Sequence, residues 1–210
     1  MDTMELPIEF RFHPRERYLP SVLDHDAVPG ELPVYLASGT FALRGRSYEA
    51  VSYQLFYTQN PSYSCLFPRD PALGYHEYDV ERLTVLFQDR RPVWVYYGAH
   101  SRGQGQWVAW GDAPKTEDGA LVAYVALNSH ALYPEPATYW RVFGLANDRC
   151  SRRGKHLRVT RYLPAFPFRE PNGIQMLGVV PNLGQASVTP GSGSSSPSTP
   201  TTSPIGRLEV

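Results

Sequence analysis

Asp79-Val80-Glu81-Arg82-Leu83-Thr84-Val85-Leu86-Phe87, then Asp89-Arg90-Arg91-Pro92, then Val93-Trp94-Val95-Tyr96-Tyr97-Gly98, reads as two strands joined by a tight turn. β-Branched and aromatic residues fill both runs, and successive side chains of a strand point to opposite faces. Leu83, Val85 and Phe87 therefore share one face, and the Asp-Arg-Arg-Pro stretch supplies the reversal. The same rhythm runs outward in both directions. Val34–Ala37, Tyr53–Thr58, Gln106–Trp110, Leu121–Leu127, His156–Leu163 and Gly173–Val180 are further strand candidates. Arg102-Gly103-Gln104-Gly105, Glu117-Asp118-Gly119 and Pro134-Glu135-Pro136 separate them with loop chemistry. Short strands at this spacing predict a mostly β chain, an antiparallel β-sandwich with long loops. A helix is expected only at Tyr139–Asn147.

Composition agrees. Of 210 residues, 14 are Tyr and 20 are Pro, a mixture that suits strands and turns. Basic and acidic residues balance at 20 each, which predicts no electrostatic footprint for nucleic acid or an anionic membrane. No run of about 18 apolar residues occurs, so no transmembrane helix is expected. The first ten residues carry acids and no base, unlike a signal peptide, which points to an intracellular, cytoplasmic or virion location. Cys65 and Cys150 lack metal-site or redox spacing and are expected as reduced thiols. From Gln185 to Pro204, 17 of 20 residues are Ser, Thr, Pro or Gly, with no charge and no aromatic ring. Such a segment buries too little to offset its ordering entropy. The expected organisation is a sandwich domain over 1–184 and a flexible, disordered tail over 185–210.

Chemistry concentrates ahead of the Leu83–Phe87 run. Asp79 and Glu81 share the face of Leu83 and Val85, so both carboxylates are expected at the mouth of an apolar face. There they repel each other and lose hydration unless a cation, an arginine or a proton intervenes. His76, three residues before Asp79, is expected to join them from the preceding turn, and Asp70 to add a fourth ligand. Such an oxygen-rich set suits Mg²⁺, Ca²⁺ or Mn²⁺ better than Zn²⁺. The alternative is a set of rim charges paired with Arg82, Arg90 or Arg91.

His76-x-x-Asp79-x-Glu81 resembles the His-x-x-Asp-Trp-Glu signature of the Vps62 (DUF946) family. Phe12-His13-Pro14-x-Glu16-x-Tyr18-Leu19-Pro20 resembles that family's opening motif, and Val95-Tyr96-Tyr97-Gly98-Ala99-His100 its strand ending in Gly-x-His. Tyr124-Val125-Ala126-x-x-Ser129-His130-Ala131-x-Tyr133-Pro134 resembles its Tyr-Val-Ala-x-x-Ser-His-Ala-x-Tyr-Pro motif. The His-x-x-Asp-x-Glu piece is also similar to that of necrosis-inducing NLP toxins, in which the matching residues help hold a divalent cation in a β-sandwich. Val80 replaces the family tryptophan, and Arg82 stands where a histidine often follows. The resemblance implies a β-sandwich, a bound Ca²⁺ or Mg²⁺, and a ligand-binding role for His100, Ser129 and His130 near the carboxylates.

A hydrolase reading of Ser129-His130 is weak, because adjacent strand residues face opposite ways and no G-x-S-x-G elbow is present. Trp94, Trp107, Trp110 and Trp140 are expected in the core. Three functions fit these features. The first is a non-enzymatic Vps62-like module that binds a divalent cation and a polar headgroup, sugar or protein partner through loops at one end of the sandwich. The second is a structural or virion (capsid) component using the tail as a connecting arm. The third is a metal-dependent hydrolase.

Overall fold

The computed structural model describes residues 5–22, 28–43, 45–62, 74–100, 105–141, 143 and 146–164. Cys65, Asp70, the strand expected at Gly173–Val180 and the tail over 185–210 lie outside the described residues. Among the described residues, twelve strands form: β1 (Ile8–Phe12), β2 (Pro33–Leu43), β3 (Arg46–Asn60), β4 (His76–Gln88), β5 (Arg91–Tyr97), β6 (Gln106–Ala109), β7 (Leu121–Val125), β8 (Leu132–Tyr133), β9 (Thr138–Tyr139), β10 (Asp148–Arg149), β11 (His156–Arg158) and β12 (Arg161–Leu163). One sheet runs β11-β1-β7-β8, a second runs β12-β2-β3-β4-β5-β6, and β9 and β10 make a separate ribbon.

The β2-β3-β4-β5-β6 meander is antiparallel throughout, as hairpin connections require. Two ladders depart from the antiparallel expectation: β1 pairs with β7, and β12 with β2, in parallel. Each joins segments far apart in sequence, so no hairpin dictates their direction. The run His156–Leu163, expected as one strand, divides. Val159 donates its backbone N–H to Ile8 in one sheet, and Thr160 donates its own to Leu32 in the other. That crossing ties the two sheets together at their edges.

Side-chain alternation builds the core. Phe10, Phe12, Leu121, Ala123 and Val125 from the first sheet meet Val34, Val51, Tyr53, Leu55, Leu83, Val85 and Val95 from the second, all fully buried. Val51 pairs with Val85 and Val85 with Val95, so one inward row crosses three strands. Burying each such side chain stabilises the fold by about 1.5–3 kcal/mol. The chain is mostly β, with two sheets closing on one apolar layer as a sandwich. The helix expected at Tyr139–Asn147 falls partly outside the described residues: Tyr139 ends β9, Asp148 opens β10, and of the residues between them Phe143 has a 3-10 conformation. The core expectation does not hold for the tryptophans: Trp94, Trp107 and Trp110 are half-buried, Trp110 packing against the edge of the core, and Trp140 is 78% exposed after β9.

Candidate functional site

The inward row of β4 continues past the apolar core into charge. Leu55 of β3 faces Glu81 and Tyr57 faces Asp79, so both carboxylates stand on the core side at one end of the second sheet. Glu81 is 8% exposed. Burial pushes its carboxyl well above the ordinary carboxylate range, and the Asp79 charge adds to the shift more than Arg82 relieves it.

The first sheet contributes His130. β7 ends at Val125, and a tight turn follows in which His130 donates its backbone N–H to Ala126 and Ala126 donates to Ala131. Asn128 and His130 adopt left-handed backbone angles, φ 67° and 57°, which non-glycine residues seldom take. This turn drives the His130 imidazole inward, fully buried, with Nδ1 3.0 Å from Asp79 Oδ2. The ring lies flat on Tyr57, with centroids 3.8 Å apart and planes within 3°. Nε2 points toward Glu16 Oε1 at 3.8 Å and has no hydrogen-bond partner among the described residues.

Glu16 is itself held by the backbone. Its carboxylate accepts from the N–H groups of Arg17, Tyr18 and Asn128 at 2.8, 3.0 and 2.9 Å. Burial alone would raise its pKa, but His130 and these amides bring it below the ordinary value. His130 shows the mirror effect: burial opposes the charged ring, and the Asp79 and Glu16 carboxylates outweigh it, raising its pKa. Tyr57, buried beside Glu16, Asp79 and Glu81, has its phenol pushed well up, chiefly by burial.

A second network adjoins the first. Asp148, fully buried at the start of β10, accepts hydrogen bonds from Ser129 Oγ and Tyr133 Oη, each at 2.6 Å. His100 Nε2 lies 2.6 Å from the same carboxylate, and Arg141 Nη1 lies 3.8 Å away. Burial works to raise the Asp148 pKa, but its three hydrogen-bonding partners lower it. His100 reaches this point because the chain turns sharply after β5. Gly98 donates its N–H to the Arg82 carbonyl, and a Cβ at Gly98 would lie 2.6 Å from that oxygen, too close for any other residue.

The structure therefore brings Asp79, Glu81, His100, Ser129 and His130 to one end of the sandwich, and leaves His76 outside. His76 opens β4 as an exposed residue, its Nδ1 3.1 Å from the Tyr78 carbonyl oxygen. The expectation of a preceding turn does not hold: β4 already begins at His76, and the backbone between it and Asp79 takes a left-handed φ of 58° at Tyr78. Among the described residues no three His, Cys, Asp or Glu side chains meet in a metal-holding geometry. The Asp79 and Glu81 carboxyls remain hard oxygen donors whose chemistry fits Ca²⁺ or Mg²⁺, but the imidazole expected beside them does not join.

Glu16, Tyr57, Tyr133, Arg141 and Asp148 complete the cluster and were not singled out from sequence. Glu16 and Tyr133 do stand inside the motifs that carry the Vps62 resemblance. Asp148, in Asn147-Asp148-Arg149, has no such signal. Comparison with protein families, with curated proteins and with solved structures gives no match.

Proposed function

We propose that the chain is a non-enzymatic binding module of the kind the Vps62-like motifs imply, with its ligand site at the carboxylate-lined end of the sandwich. One observation carries this reading: the buried carboxyl groups of Glu16, Glu81 and Asp148 and the half-buried one of Asp79 face one end, where burial and the Asp79 charge oppose the charged form of Glu81 more than Arg82 relieves it. A cationic ligand supplies what is missing, and a divalent ion of the Ca²⁺ or Mg²⁺ type fits two carboxylates on adjacent inward positions of one strand. The loops around His100 and His130 would then present the ion to a polar ligand or protein partner.

The hydroxyl chemistry argues against catalysis. Ser129 donates to Asp148 rather than to an imidazole, and His130 is taken up by Asp79, so the two adjacent residues form no nucleophile–base pair. Titration calorimetry with Ca²⁺, Mg²⁺ and Mn²⁺ tests the proposal. One site should appear in the wild type, raise its melting temperature, and vanish in Asp79→Ala. No heat with any ion, together with a more stable Asp79→Ala or Glu81→Ala protein, would make the carboxyls a strained remnant and favour the structural-component reading.

A further inference from the structure

Charge balance over the whole chain hides an uneven distribution. From Thr138 to Arg158 there are six basic residues and one acid. That acid, Asp148, is buried. Arg158 is engaged with Asp118 at 2.7 and 2.8 Å, and Arg141 is turned toward Asp148. Arg149, Arg152, Arg153 and Lys155 are left exposed, with no ion-pair partner among the described residues.

The fold adds a fifth cation from the other end of the sequence. Phe12 donates its N–H to the Lys155 carbonyl at 2.9 Å. Gly154, with φ 143°, packs so tightly on Phe12 and Pro14 that a Cβ there would overlap their backbone. The turn Arg152–Lys155 is thereby fastened to the segment carrying exposed Arg15. His13 lies between them: its pKa is lowered by burial, and the charges of Arg15 and Arg149 add to the effect. The acid of this segment, Glu16, is turned inward.

Arg149 of this patch pairs with Thr138 in the β9–β10 ribbon, and two exposed aromatic rings follow β9 there. Trp140 is 78% exposed and Phe143 fully so, and Phe143 takes a left-handed φ of 53°, a costly conformation for a bulky residue. The loop sequence Trp140-Arg141-Val142-Phe143-Gly144-Leu145-Ala146 has a single charge. Its base is fixed, since Arg141 donates its backbone N–H to Asn147 Oδ1 at 3.0 Å.

We propose that the exposed rings of Trp140 and Phe143 and the basic patch formed by Arg15, Arg149, Arg152, Arg153 and Lys155 dock this protein on an anionic lipid bilayer, the aromatic rings entering the headgroup region while the cations meet anionic lipids. A single-stranded nucleic acid would need aromatic rings interleaved with the cations so that bases stack. Here both rings precede the basic run Arg149–Lys155 in the chain, and the one cation between them, Arg141, is turned toward Asp148. This inference does not depend on the cation site proposed above.

Co-sedimentation of the full chain with vesicles of phosphatidylcholine, with and without about one-third phosphatidylserine, tests it. The protein should pellet with the anionic vesicles and not with the neutral ones. Arg152→Glu with Arg153→Glu should weaken partitioning by about 20-fold or more, since each basic residue near such a surface contributes roughly fivefold. Trp140→Ala with Phe143→Ala should remove the part of the binding that survives high salt. All four positions are exposed, so the variants should melt like wild type. Failure to pellet with anionic vesicles, or undiminished binding after charge reversal, overturns the proposal. So does tighter binding to an oligothymidine than to vesicles, which would make the patch a nucleic-acid surface.

Discussion

Asp148→Ala is the most demanding test of the packing at the site. The Asp148 side chain is fully buried and accepts from Ser129 Oγ, Tyr133 Oη and His100 Nε2, each at 2.6 Å. Truncation strands two hydroxyls that are themselves buried, at 4% exposure each, while His100, with a side chain 15% exposed, can turn to water. An unsatisfied buried polar group costs about 1–3 kcal/mol. Two of them, with the Arg141 guanidinium losing its partner, place the loss at about 3–5 kcal/mol. For a domain of this size that is a fall in melting temperature of roughly 10 °C. Asp148→Asn keeps one acceptor oxygen and should cost about half as much. Urea unfolding followed by tryptophan fluorescence measures both. If Asp148→Ala loses less than about 1 kcal/mol, the Ser129–Asp148–Tyr133 network does not hold this end of the sandwich, and the site derived from it is wrong.

Two further outcomes follow from the same geometry. Glu16 and Asp148 have folded pKa values below the ordinary 4.5 and 3.8, so their contribution is present above those values and is lost as pH falls through the lower folded ones. The melting temperature should therefore drop steeply below about pH 4, and Glu16→Gln should show a shallower acid limb; identical limbs would remove Glu16 from the account. Gly154→Ala should lower stability by about 2 kcal/mol or more, since it combines a left-handed φ with overlap on Phe12 and Pro14, and a melting curve unchanged from wild type would mean that the basic turn is not fastened there.

Much of the sandwich was legible because strand chemistry is local. β4, β5, β6 and β7 lie where β-branched and aromatic runs meet turn residues, and the inward placement of Leu83, Val85 and Phe87 follows from alternation. β1 was missed although Ile8-Glu9-Phe10-Arg11-Phe12 alternates cleanly. Its pairing, parallel to β7 and antiparallel to β11, joins residues more than a hundred positions apart, and no local turn announces it. The single strand expected at His156–Leu163 divided for a related reason: sheet membership is decided by partners, not by propensity.

The site was legible where strand parity alone decides, and illegible where a turn re-aims a side chain. Parity placed Asp79 and Glu81 on the face of Leu83, and that is where they stand. Parity does not settle His76, because Tyr78, between it and Asp79, takes a left-handed φ of 58°. What takes its place beside Asp79 is His130, from the opposite sheet, aimed inward by a turn with left-handed backbone at Asn128 and His130. Side-chain alternation cannot foresee that, since it fails wherever φ turns positive. The consequence is structural as well as chemical. An imidazole supplied by the turn after β7 of the first sheet bonds a carboxylate of the second and faces Glu16 of the N-terminal segment, so the carboxylate-lined end of the sandwich and the junction between its sheets are built from the same side chains. A ligand that neutralises Asp79 or Glu81 would act on that junction directly, through the contact that holds His130 in place.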